Sequence, residues 1–284
     1  MPLPIVWGAV VGIGVLTGLS NSGKTKSNLR EAEGLIDAAN DKATEAKEFV
    51  EMAQDKTVKA IEALGQLKIQ VLKTSMTDFV ENFEKIKEVE FTIQNGMNDM
   101  TKLLPGTPGF KELKQSTHLK TLARIESILN FGSFGFLTAS TFMPNMPVFP
   151  LMSTILNMKS QTALNNAKAN YEKAKVYHSQ AKTIGLALKA IFLRCEQIYG
   201  LLEQLDSYFS KSVGNLRIII ESSGTKWPKY SIEEQNDIYL CVQIAQTVKI
   251  VLDTSLLTEN GELDKKSEEM VSQGNMLLQK IARL

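Results

Sequence analysis

The residues whose spacing most resembles a reactive site are Gly18, Leu19, Ser20, Asn21, Ser22, Gly23, Lys24 and Thr25. They fit the phosphate-binding loop in which two glycines precede Lys and Thr, with Lys24 on phosphate oxygens and Thr25 on a magnesium ion. Such a loop works because a strand of a parallel sheet presents it. No segment of this chain alternates with period two for long enough to make that sheet. Leu216 to Ile220 followed by Glu221 imitates the second strand of such a site, yet it falls in step with a helical pattern. The motif therefore reads as a polar turn where an apolar segment ends.

The remaining chemistry-bearing types are dispersed. His118 and His178 have no Ser, Cys or carboxylate pair at a spacing that would build a triad or a metal site. Cys195 and Cys241 stand far apart with no partner at zinc spacing, which argues for a reducing compartment and against a disulfide framework. Carboxylates alternate with lysines, as in Glu81 to Glu90, the pattern of a solvated helix face. No catalytic residue, cofactor or metal is indicated, and the expectation is a protein that is not an enzyme. The formal charge is +1 over 284 residues, so no global field attracts nucleic acid or an anionic surface. Any anion site must be local; Lys168, Lys175 and Lys182, spaced along one helix face, are candidates for it.

The elements that would carry these residues are helices. The eight prolines cluster at 2 to 4, 105 to 108, 144 to 150 and 228, and the stretches between leave room for long helices. Ala32, Ile36, Ala39, Ala43, Ala46, Val50, Ala53, Thr57, Ala60, Leu64, Leu67 and Val71 recur in alternating steps of four and three, continuing less regularly through Phe79, Phe83 and Ile86. That heptad seam predicts a rod on the order of 100 Å, which Gly65 could bend. A second seam runs through Ala174, Tyr177, Ala181, Ile184, Leu188, Ile191, Cys195, Ile198, Leu202, Leu205, Phe209, Ser212, Leu216 and Ile219. The expected fold is all-α: a long antiparallel coiled-coil hairpin with additional C-terminal helices and an N-terminal transmembrane helix. Ser231 with Glu234 forms a capping-box pattern opening a helix to about Leu257, and a turn at Asn260 and Gly261 leads into a last amphipathic helix.

Two uncharged stretches complete the pattern. Leu3 to Leu19 is 17 residues without a charge, at the lower edge of a bilayer span. Trp7 lies near one end, with Lys24, Lys26 and Arg30 beyond the other as interface residues, which puts the bulk of the chain in the cytoplasm as a single-pass protein. Gly8 with Gly12, and Gly14 with Gly18, are four apart, the spacing that lets apolar helices meet closely in lipid, so several anchors could line a pore. No charge occurs between Glu126 and Lys159, where Phe131, Phe134, Phe136, Phe142 and Phe149 alternate with Gly, Met and Pro. Prolines 144, 147 and 150 forbid one straight span there, leaving a membrane-inserting tip or an interface between subunits. On a straight rod that loop would lie far from the anchor's membrane. The resulting division is 1–23 anchor, 24–228 helical body with the apolar loop 128–157, and 229–284 C-terminal helical pair.

A long helical hairpin with an uncharged mid-chain head, here Phe131 to Leu151 between the two seams, resembles α-pore-forming toxins of the cytolysin A type. The glycine-rich anchor Leu3 to Leu19 on a charged helical body is more similar to membrane effectors of bacterial anti-phage defence, of the Hailong type. That resemblance implies a homo-oligomeric ion channel in the bacterial inner membrane, gated by an oligonucleotide or other anionic ligand from a partner nucleotidyltransferase. The alternatives are a secreted α-pore-forming toxin and a structural or signalling scaffold.

Overall fold

The computed structural model describes residues 23–89, 111, 160–258 and 263–282. Of these, 90% are helical and none forms a strand, so the chain is all-α over the described residues. The elements are α1 (Gly23–Val71), a π-helical turn (Leu72–Met76), α2 (Thr77–Phe83), α3 (Ser160–Ser223), a 3-10 turn (Trp227–Lys229), α4 (Ile232–Asp253) and α5 (Lys265–Ile281). No proline interrupts 26–83 or 161–223, and both stretches form the long helices that this absence permits. The first of them runs through Gly65 without a break in its helical pattern; the irregularity falls later, at the π-helical turn. There the Thr77 hydroxyl donates to the Leu72 carbonyl five residues back, at 2.9 Å.

The chain divides into two compact units, residues 1–57 with 137–190 and residues 58–136 with 191–284, and both long helices contribute to both. In the first unit the described core is narrow and made largely of small residues. Ala32, Ile36, Ala39, Ala46 and Val50 of α1 are buried, as are Ala163, Leu164, Ala167, Ala174, Tyr177, Ala181 and Leu188 of α3. Small side chains along both seams allow the helix backbones to approach closely. The Phe49 ring occupies the space in which a side chain at Gly185 would begin, which explains why glycine stands there. Thr57 is fully buried, its hydroxyl within bonding distance of the Ala53 carbonyl at 2.7 Å and the Leu188 carbonyl at 3.0 Å.

These contacts correct the antiparallel expectation. In the first unit Asn28 meets Gln161, Glu31 meets Lys168, Glu45 meets His178, Phe49 meets Gly185 and Thr57 meets Leu188. Partner numbers rise together, so α1 and α3 run parallel. In the second unit Ser75 meets Ser210, and the backbone of Lys87 pairs with Thr225 and Trp227, again in ascending order. A heptad seam is blind to helix direction, because its a and d stripe is apolar read either way. Two consecutive parallel helices cannot be joined by a tight turn.

The second unit has a larger core. Val71, Leu72, Met76, Phe79, Val80 and Phe83 pack with Ile198, Leu202, Leu205, Phe209 and Leu216 of α3 and with Ile238, Cys241, Ile244, Ala245 and Val248 of α4. Phe79 stacks on Phe83 with centroids 5.1 Å apart and meets Phe209 at 5.6 Å. The α3–α4 turn forms as the sequence indicates. Gly224 takes φ +82°, a left-handed position suited to glycine just past a helix end. Ser231 and Glu234 form the full capping box that opens α4. The last helix, α5, runs alongside α3 in the same direction, with Arg194 at Ser267 and Glu268 and Leu201 packed 2.6 Å from where a Cβ on Gly274 would sit.

Candidate functional site: the paired helix starts

Because α1 and α3 are parallel, their first turns lie side by side in the first unit. The Asn28 side-chain amide donates to the Gln161 side-chain carbonyl at 3.2 Å, and Lys168 bridges to Glu31 at 3.1 Å. Beneath these polar contacts Ala32, Ile36, Leu164 and Ala167 form a small buried cluster with Leu35 packed against it. An exposed ion pair such as Lys168 with Glu31 contributes little stability by itself, so the apolar cluster holds the ends together. Lys26 and Arg30 are exposed on α1 near this end. Along the sequence the charges nearest to each helix start are all basic: Lys24, Lys26 and Arg30 precede the first acid of α1, Glu31, and Lys159 and Lys168 precede the first acid of α3, Glu172.

Interior polar groups elsewhere are structural in their contacts. Lys68 of α1 sends its ammonium to the carbonyls of Leu252 at 3.2 Å and Thr254 at 3.0 Å, at the C-terminal end of α4. A cation suits the negative end of a helix, yet burial pulls the Lys68 amine down from 10.5 to about 8, with Asp253 the largest opposing influence. Cys195 and Cys241 are fully buried; burial raises Cys195 to about 12 and Cys241 well above the usual thiol range, so both are protonated and inert. Within the π-helical turn, Ser75 shares a hydrogen bond of 2.8 Å with Ser210 of α3. Asp206, one turn before Ser210, has its Oδ1 closed off from solvent without a hydrogen-bond donor from the protein.

No match to this chain exists among family models, curated proteins or solved structures. The chemistry of the site therefore rests on the residues themselves.

The residues singled out in the sequence fall as follows. Gly8, Gly12, Gly14, Gly18 and Trp7, with the whole stretch Leu3 to Leu19, lie outside the described residues. So do His118 and Phe131, Phe134, Phe136, Phe142 and Phe149 of the mid-chain loop. Among the described residues no helix is long and apolar enough to cross a membrane. Gly23, Lys24 and Thr25 belong to the first turn of α1, and no strand among the described residues supplies the sheet that a phosphate-binding loop requires. The helical step of Leu216 to Ile220 is likewise part of α3, not a strand. His178 lies 3.4 Å from Glu45, and no group of three metal-ligating side chains forms among the described residues.

Of the three lysines proposed for an anion, Lys168 is paired with Glu31 and Lys175 with Glu172, while Lys182 is exposed. Hydrogen bonding to Glu172 holds the Lys175 amine above its ordinary value, so its charge is already partnered. Sequence reasoning missed Lys68 and the Asn28–Gln161 contact. Lys68 sits next to Leu67 and Ile69 in the densest apolar part of the first seam, which is the signal that could have marked it. Nothing local marks Asn28 or Gln161, since their pairing depends on helix direction.

Proposed function

We propose that this chain is a non-enzymatic, homo-oligomeric membrane protein of the bacterial inner membrane, whose N-terminal segments assemble side by side as a regulated pore or ion channel. One observation carries the reading: 17 uncharged residues, Leu3 to Leu19, with glycines four apart, lead within a few residues into a 49-residue helix whose opening charges are basic. Small residues at that spacing let transmembrane helices pack closely, and exposed Lys26 and Arg30 suit the cytoplasmic side of an anionic bilayer. Trp7 serves as the anchor at the opposite interface. In this reading the paired helices are a coiled-coil body that holds the pore closed. The gating signal is an oligonucleotide or other anionic ligand made by a partner nucleotidyltransferase.

Purified full-length protein in planar bilayers tests this by single-channel recording. Unitary conductance is expected, and replacing Gly12 and Gly14 by leucine should abolish it while leaving the helical body folded by circular dichroism. Absence of conductance in every liganded state refutes the channel; conductance that survives both leucines refutes the glycine-packed pore.

A further inference from the structure

We infer that the exposed face of α3 from Val176 to Ser207 is a seam for a second copy of this chain, packed antiparallel, with Lys182 and Lys189 of one copy against Glu203 and Glu196 of the other. The inference goes beyond the anchor reading above and does not depend on it. α3 is one helix from Ser160 to Ser223, so spacing along it is set by the helix alone. One seam of that helix, through Tyr177, Ala181, Leu188 and Cys195, is buried. A second runs one position before it: Val176, Ser179, Thr183, Leu186, Ala190 and Leu193, continuing in steps of three and four to Ser207 without a charge. Val176, Leu186 and Leu193 are 58%, 63% and 49% exposed. Every other member is exposed as well, save half-buried Gly200, where an added Cβ would meet nothing within 4 Å. A heptad stripe left open in this way matches a helix of the same period.

Charge identifies that helix. With Val176, Thr183 and Ala190 as the a positions, the residues just before each a position are Lys175, Lys182, Lys189, Glu196 and Glu203, basic in the first half and acidic in the second. The opposite flank carries Gln180, Ala187, Arg194 and Leu201; Arg194 is held by Glu268, and Leu201 is buried against Gly274 of α5. Flanking charges set partner and direction in a coiled coil, and in an antiparallel pair the residues before the a positions face their equivalents. The register that places Ala190 on Leu193 of the second copy sets Lys189 beside Glu196 and Lys182 beside Glu203, and two-fold symmetry makes each pair twice.

The ends of the stripe agree. Glu172 and Lys211 are the charges that bound it, and the same register brings them opposite each other, although Glu172 also holds Lys175 of its own chain at 2.9 Å. A slip of one heptad sets Lys189 against its own equivalent in one direction and Glu196 against its own in the other. A parallel pair sets Lys189 against Arg194 and forms no opposite-charge pair along these flanks. Lys182, Lys189, Glu196 and Glu203 are all exposed, and none has an ion-pair partner among the described residues, so their charges are open to a second copy. At ~1.5 Å per residue, the antiparallel order sets the two Ser160 ends roughly 95 Å apart, which makes this contact separate from any packing of N-terminal segments side by side.

The test is disulfide trapping between copies of full-length protein in detergent solution. Lys182→Cys protein is mixed with Glu203→Cys protein and oxidised gently; the native Cys195 and Cys241 are buried. A dimer joining the two variants is expected, at several times the yield of either variant alone, because like positions stand on the order of 30 Å apart in this register. Trapping of each variant with itself in preference to the other overturns the antiparallel order, and absence of trapping in every mixture overturns the seam. Charge reversal supplies a second measurement. Lys182→Glu with Lys189→Glu should raise the dissociation constant, read by sedimentation, about tenfold or more, and adding Glu196→Lys with Glu203→Lys should restore it. These four side chains are exposed, so circular dichroism should show the fold unchanged. An association indifferent to the reversal, or not restored by the second pair of substitutions, places the contact elsewhere and overturns the inference. None of these variants alters residues 3 to 19, so either result leaves the channel reading to its own bilayer recording.

Discussion

Replacing Lys68 by methionine tests the second unit's core where electrostatics and packing meet. The lysine amine caps the Leu252 and Thr254 carbonyls, and its affinity for a proton falls from 10.5 to about 8 because burial penalises the charge more than Asp253 favours it. The unfolded chain therefore binds this proton more tightly than the folded one. The stability that Lys68 contributes is full above pH ~10.5, where the amine is neutral in both states, and is lost as pH falls through about 8. Lowering the amine from 10.5 to about 8 corresponds to about 3 kcal/mol, an upper figure because the side chain keeps partial solvent access. Buried Tyr177 and Tyr230, half-buried Tyr239 and both cysteines also titrate upward, so the absolute pH profile mixes several groups. The difference between wild type and Lys68→Met isolates the one lysine. Urea unfolding followed by circular dichroism at pH ~7.5 and pH ~10 should show wild type gaining on the variant by ~2–3 kcal/mol at the higher pH. Parallel pH curves for the two proteins would refute the buried, depressed lysine.

Three further outcomes follow from the same structure. Phe209→Ala removes a fully buried ring that meets Phe79 and should cost ~3–5 kcal/mol by chemical denaturation; a loss below ~1 kcal/mol would contradict the packed core. Hydrogen bonds from Ser223 and from the Ser231 backbone hold the Glu234 carboxyl below its ordinary 4.5, so its stabilising effect is present above that value and disappears as pH falls below it. Glu234→Gln should therefore cost stability at pH ~7 and lose that effect in acid, and Ser231→Ala, which removes the hydroxyl accepting from the Glu234 backbone N–H, should lower stability by ~1 kcal/mol, both read by thermal melts. A thiol reagent should leave Cys195 and Cys241 unmodified in the native protein and label both after denaturation, read by mass spectrometry; rapid native labelling would contradict their burial.

The fold was legible where a pattern is local. Two seams, a capping box at Ser231 and Glu234 and the absence of proline located both long helices and the α3–α4 turn. Helix direction was not legible, because Ala32, Ile36 and Ala39 meet a partner equally well whichever way it runs. Direction is fixed by Asn28 with Gln161 and Ser75 with Ser210, contacts more than a hundred residues apart that leave no mark on local periodicity. The π-helical turn was equally hidden, since Gly65 advertised a bend and the helix passes through it unbroken. Much of the candidate site reading, from Gly8 to Gly18 and from Phe131 to Phe149, concerns residues outside those described.

The account of the fold stands or falls with the direction of α1 relative to α3. Full-length protein with Asn28→Cys and Gln161→Cys, oxidised gently, should form a disulfide within one chain, seen as a mobility shift that persists when the protein is diluted. A control with Asn28→Cys and Ser222→Cys, the pair that an antiparallel arrangement would bring together, should not. Ready closure of the control within one chain, with none of the first pair, would contradict the parallel fold.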